Sequence, residues 1–187
     1  MQTVRTYTAE ILAELSRTLD TLSESEVADF IQAIIGAGRV FVAGAGRSGF
    51  MMKGFAMRLM HLNIDAHVVG ESVTPPFTSG DLLIIGSGSG ETRSLVAMAE
   101  KATKLGGSVA LITTTPDSTI GRLAKAVVQI HAQPKQGPSG GAAMTMQPMG
   151  SLFEQSLLLF GDAVVLRLMD QQHIAAAEMF ARHANLE

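Results

Sequence analysis

Two short segments place hydroxyls between glycines. One reads Gly44-Ala45-Gly46-Arg47-Ser48-Gly49 and follows the run Arg39-Val40-Phe41-Val42-Ala43. The other reads Ser87-Gly88-Ser89-Gly90-Glu91-Thr92 and follows Leu82-Leu83-Ile84-Ile85-Gly86. Glycine lets a backbone approach a ligand with its N–H groups turned inward. Gly46, Gly88 and Gly90 supply that open backbone, and Ser48, Ser87, Ser89 and Thr92 add hydroxyl donors. A helix following each loop brings the positive end of its dipole. Side by side, the two loops predict a pocket for one phosphate monoester, and so a phosphorylated metabolite.

Each loop also has a plainer reading. Gly44-x-Gly46-x-x-Gly49 fits the dinucleotide fingerprint, with Glu71 at about the spacing of a ribose contact. Its glycines would equally serve tight turns. Against the dinucleotide stand a cation and a hydroxyl inside the loop, Arg47-Ser48, and the second loop, which it leaves unexplained. In the second loop Thr92 could be an ordinary helix N-cap, but a cap needs one hydroxyl, not three. The sequence has no Gly-Lys-Ser/Thr of a nucleoside triphosphate loop.

Further candidates lie outside the loops. Glu154 is a carboxylate at the start of an apolar helix, suited to act as a base at carbon. Ser151-Leu152-Phe153-Glu154 is equally a capping box, in which Glu only holds the helix end. His61 closes a helical stretch, where a histidine serves the dipole or moves protons. Arg47 is either a solvated loop residue or a planar fork for enediolate or phosphate charge. His67, His131, His173 and His183 show no partner spacing, and no set of acids suggests a metal.

The elements that must position these residues alternate. Helical spacing runs over about 3–37, with a restart near Ser23-Ser25-Glu26. Five apolar runs follow, Val40–Ala43, Ala66–Val69, Leu82–Ile85, Val109–Thr113 and Ala126–Ile130, read as strands. Helices are predicted between them at about Ser48–Leu62, Thr92–Leu105 and Ser118–Ala124. An irregular connection is predicted between the second and third strands. Alternation implies a parallel sheet with right-handed crossovers and helices on both faces, an α/β three-layer αβα sandwich. In a flavodoxin-like order the loops after the first and third strands flank the switch point where ligands bind. We expect one domain over 1–187: N-terminal helices over 1–37, a core sheet over 38–131, a Gly/Pro-rich loop over 132–150 and C-terminal helices over 151–187. The last are predicted at about Leu152–Met169 and Gln171–Ala184.

Composition narrows the classes. Net charge −3 gives no reason to propose nucleic acid. There is no cysteine, and the N-terminus opens into a polar amphipathic helix without a signal peptide, which predicts a cytoplasmic protein. Leu152 to Met169 carries Glu154, Asp162 and Arg167 and reads as a buried helix, not a membrane span. An apolar share of 47% predicts a homo-oligomer.

With these residues in place, the chain resembles the sugar isomerase (SIS) domain family, which binds phosphosugars. Strand–Gly-Arg-Ser and strand–Ser-Gly-Ser-Gly-Glu-Thr carry the broad resemblance. Phe55-Ala-Met-Arg-Leu-Met-His-Leu62, Val69-Gly-Glu71 and Gln147-Pro-Met-Gly-Ser-Leu-Phe-Glu-Gln155 make it closer still to the 6-phospho-3-hexuloisomerases of that family. The resemblance implies interconversion of D-arabino-hex-3-ulose 6-phosphate and fructose 6-phosphate through an enediolate, in a homotetramer without cofactor. It implies catalytic roles for Glu154, Arg47 and His61, the histidine reaching into a neighbouring subunit's site. Another phosphosugar isomerase of the family, or a non-catalytic sugar-phosphate sensor, stays open.

Overall fold

In the computed structural model, which describes residues 2–133 and 145–186, helices α1 (Val4–Leu19) and α2 (Glu24–Ile35) precede an alternating core. That core runs β1 (Val40–Gly44), α3 (Gly46–His61), β2 (Ala66–Val68), β3 (Leu82–Gly86), α4 (Arg93–Lys104), β4 (Ser108–Thr113), α5 (Thr119–Leu123) and β5 (Ala126–Gln129). A 3₁₀ turn at Pro148–Gly150, α6 (Ser151–Gln172) and the short α7 (Ala176–Phe180) follow. The sheet order is β2-β1-β3-β4-β5, every neighbouring pair parallel.

The strands are apolar almost throughout because both faces are covered. Alternate side chains divide between two cores. Val40, Val42, Leu82, Ile84, Ala110, Ile112, Ala126 and Val128 meet α1, α2, α3 and α6. Phe41, Ala43, Leu83, Ile85, Val109 and Leu111 meet α4 and α5. The expected α/β three-layer sandwich with a five-stranded parallel sheet is thus present.

Register positions the site. Val40 lies opposite Leu82 and Gly44 opposite Gly86, so β1 and β3 end level. Their loops leave the same sheet edge together, at the switch point. A side chain at Gly49 would place its Cβ 2.7 Å from the Gly44 carbonyl oxygen, so α3 turns off β1 only with glycine there. Gly161 likewise lets α6 lie against α3, where a Cβ would stand 3.2 Å from the Phe55 ring.

Between β2 and β3 the chain is irregular, as expected, and is tied down at its end. Arg39 pairs with Asp81 at 2.7 Å and donates to the Pro76 carbonyl. The C-terminal boundary differs from expectation. Instead of breaking after Met169, α6 continues to Gln172, because Gln171 and Gln172 are good helix formers and carry no stop signal. The chain reverses at His173, whose φ of 56° lies in the left-handed region with no glycine to announce it. The second predicted helix shrinks to Ala176–Phe180. α3 begins two residues before its predicted start, at Gly46. Of the expected 132–150 loop, 134–144 lies outside the described residues. Among the described residues no helix is long and apolar enough to cross a membrane.

Candidate active site

The two glycine loops open onto one cavity of about 410 Å³ at the switch point. Gly46 and Ser48 line it from the head of α3, Ser87, Gly88 and Ser89 from the β3 loop, and Thr92 from the head of α4. Thr114, Gln133, Gly150 and Phe153 complete the wall. Six of the seven predicted binding residues therefore meet. Gly90 does not line it. With φ +62° it turns the loop back, and a side chain there would collide with Ser118 of the α5 cap.

What makes this cavity suited to an anion is the state of its helix ends. α1, α2 and α5 are each capped by a hydroxyl: Thr3 accepts from the Thr6 amide, Ser23 from Glu26 and Ser118 from Gly121. α3, α4 and α6 begin at the cavity, and none has a side-chain cap. Their N–H groups, orphaned within the helix, and three positive dipole ends converge on one volume. Thr92 occupies the N-cap position of α4 without using its hydroxyl there, so the plain capping role is not the one it plays.

The β3 loop is braced from behind. The Gly88 carbonyl accepts from the Thr113 hydroxyl and from both the amide and hydroxyl of Thr114, at 2.7 to 3.1 Å. In a trans peptide this turns the following N–H, that of Ser89, away from β4. Ser87 and Ser89 accept from the Gly90 and Glu91 amides, which leaves each hydroxyl proton to be donated elsewhere. Glu91 accepts from the Thr119 amide at 2.6 Å, a bond that holds its carboxyl below the usual range. The acid of this motif is thus a brace to α5.

Beside the cavity stands an ion pair. Arg47 reaches from α3 to Glu154 in α6, Nη1 to Oε2 at 3.0 Å, and donates to the Ser151 hydroxyl at 2.9 Å. Glu154 is 1% exposed, while the Arg47 side chain is 53% exposed. The alternative capping box is not formed. α6 starts from Gly150 in the left-handed region, making Ser151 its first residue and Glu154 its fourth, one place beyond a capping-box carboxylate. Ser151 instead donates to the Pro148 carbonyl.

His61 is not brought to this cavity within the chain. It sits 14 residues along α3 from Arg47, about 21 Å at the helical rise. It is 3% exposed, stacked on His183 with centroids 5.6 Å apart. Burial, then Arg58 and His183, holds its imidazolium form below the usual histidine range. The His183 partnership has no trace in local spacing, since 122 residues separate the two. Glu71, the ribose candidate of the dinucleotide reading, also lies away, paired with Lys53 at 3.7 Å along a different hollow.

Residues 33–159 match the model of the SIS domain. The chain belongs to the SIS domain family. A Bacillus subtilis protein named 3-hexulose-6-phosphate isomerase is 51% identical over 181 residues, covering 97% of each chain. A Mycobacterium gastri protein of the same name is 45% identical, covering 93% of this chain and 86% of its own. A solved Methanococcus jannaschii structure, for which a 3-hexulose-6-phosphate isomerase function was inferred, superposes with a TM-score of 0.81. It is 30% identical and spans 97% of this chain and 99% of its own. In this SIS domain, sequence reasoning missed Ser151, Thr114, Gln133 and Phe153. Thr114 carried a signal: it follows β4 directly, at the same sheet edge as the glycine loops. Ser151 was visible only as half of a capping box.

Proposed function

We propose that this chain is a phosphosugar isomerase that interconverts D-arabino-hex-3-ulose 6-phosphate and fructose 6-phosphate, as one domain over 1–187. The observation that carries the proposal is a buried carboxylate, Glu154, beside the Arg47 guanidinium at the edge of a cavity built from three helix ends without side-chain caps. The name shared by these Bacillus subtilis and Mycobacterium gastri relatives supports the substrate.

The phosphate is received by Ser48, Ser87, Ser89 and Thr92 and the amides around Gly46 and Gly88, which leaves the carbon chain to run past Gly150 and Phe153. In this proposal Arg47 turns from Glu154 toward the substrate oxygens and uncovers the carboxylate. Glu154 then takes the proton from C3 of fructose 6-phosphate, and the electron pair moves through the new C2–C3 double bond to O2. A proton passes from O3 to O2, and Glu154 returns its proton to C2, leaving the carbonyl at C3. Arg47 stabilises the enediolate charge during both transfers. No cofactor or metal enters these steps.

His61, too far from its own cavity, serves a neighbouring one by moving the proton between oxygens or opening the ring. Apolar side chains exposed along α3 and α6, with Phe50 67% and Leu166 62% exposed, support assembly through these helices into a homotetramer. The physiological setting of the proposal is formaldehyde assimilation or detoxification by the ribulose monophosphate route, in the cytoplasm.

Purified protein incubated with fructose 6-phosphate in deuterated water tests the reaction. Deuterium at C3 and an NMR signal of the 3-keto product are expected. Binding without exchange would make the chain a sensor and end the proposal.

A further inference from the structure

A buried carboxylate outside the cavity is left unused by this mechanism. Glu14 lies on α1, otherwise an amphipathic surface helix, and is 8% exposed. Its Oε2 accepts from the Thr145 hydroxyl at 2.6 Å and from Gln147 Nε2 at 2.9 Å. Its Oε1 accepts from the Met146 amide at 2.9 Å. Three consecutive residues are thus fastened to one side chain 131 or more positions earlier in the chain.

What those residues lead into gives the contact its meaning. Gln147 is the N-cap position of the Pro148–Gly150 turn, and that turn delivers the chain into α6. Within it Met149 (φ 61°) and Gly150 (φ 78°) are both left-handed. Methionine in that region is strained and persists only where the surroundings hold it. On the far side of the turn Ser151 is held by Arg47, and Glu154 follows one helical turn later. The turn is therefore clamped at one end by Glu14 and at the other by Arg47. Gly150 and Phe153, between the clamps, form cavity wall.

We infer that Glu14 is a positioning residue, which through Thr145, Met146 and Gln147 sets where α6 begins and so where Glu154 stands against the phosphate-binding loops. The inference rests on the proposed role of Glu154. Among the described residues no hydrogen bond joins Glu14 to the phosphate loops, so its loss should spare binding and harm the chemical step.

Glu14→Gln tests this. Its single acceptor oxygen can serve either the Met146 amide or the pair Thr145 and Gln147, not both sides. Expected are a folded protein, a KM for fructose 6-phosphate and an inhibition constant for inorganic phosphate near wild type, and a kcat lower by about 10²-fold, the loss typical of a misplacement near 1 Å. A role confined to stability would lower the melting temperature and leave kcat of the folded fraction unchanged. That result, or a rise in KM equal to the fall in kcat, overturns the inference. Should Glu14→Gln fail to fold, Thr145→Val with Gln147→Leu removes both donors to Oε2 and is judged by the same split. Glu154→Gln is measured alongside. If it stays active, the role of Glu154 is lost; if it is inactive while the Glu14 variant keeps wild-type kcat, only the positioning role is lost.

Discussion

Glu154→Gln separates chemistry from architecture at the residue on which the proposed mechanism turns. Glutamine has almost the same shape, so the apolar packing of α6 is kept. Because Glu154 is the fourth residue of α6 and no capping box forms, the helix start does not depend on it. The structural loss includes the charge contact with Arg47, whose guanidinium is half in water. Such a contact contributes about 1 kcal/mol or less, which for a domain of this size lowers the melting temperature by only about 2–4 °C. The kinetic loss is of another order. A positioned base contributes about 10²–10⁴-fold, or about 3–5 kcal/mol of activation free energy. The assay is deuterium exchange at C3 of fructose 6-phosphate, with thermal melting on the same sample. A variant that melts near wild type and exchanges about 10²-fold or more slowly meets the expectation. Exchange within tenfold of wild type would refute the assignment of Glu154 as the base.

Arg47→Lys keeps the charge but replaces the planar guanidinium proposed to stabilise the enediolate by a compact ammonium, so kcat should fall about tenfold or more with little change in melting temperature; wild-type kinetics would contradict its role. Thr92→Val should leave stability unchanged, because Thr92 makes no capping bond, while raising KM about 10–100-fold, the range of one hydrogen bond to a charged group. Ser118→Ala should do the reverse, costing about 1 kcal/mol as a lost cap of α5 and shifting the melt rather than KM. For His61 the sign follows from burial, Arg58 and His183 disfavouring its charged form. The unfolded chain binds the proton more readily, so stability is full above about pH 6.5 and declines as pH falls from there through the lower folded value. His61→Gln should flatten that decline, measured as melting temperature against pH. EDTA should leave the isomerisation rate unchanged, and loss of activity restored by a divalent ion would overturn the metal-free mechanism.

The sheet and the cavity were legible because each depended on local pattern. Five apolar runs separated by helical spacing leave few topologies, and a 2-1-3-4-5 order places the loops after β1 and β3 together. Gly44 opposite Gly86 is that expectation realised in register. What stayed hidden depended on contacts far apart in the chain. Glu14 reads as one more polar residue on a surface helix, since nothing near it announces a bond to Thr145. The end of α6 was misplaced because a histidine, not a glycine, takes the left-handed conformation there. The pairing of Ser151 with Glu154 as a capping box failed for a subtler reason. The spacing was right for a helix starting one residue later, and Gly150 moved the start.

Capping itself carries the last distinction. From sequence, a hydroxyl before a helix reads the same whether it satisfies the helix or a ligand. Thr3, Ser23, Ser118 and Thr92 all have that form, and only the first three are spent on their own helices. A helix end left open costs stability unless water or an anion meets its N–H groups. Three such ends around one volume, where α1, α2 and α5 are capped by hydroxyls, concentrate that unmet demand at the place where β1 and β3 diverge. In the proposed function a dianionic phosphate answers it at the heads of α3 and α4, where hydroxyls and backbone amides stand in for a lysine among the described lining residues. In that arrangement Arg47, beside the cavity, acts on the sugar oxygens and not on the phosphate.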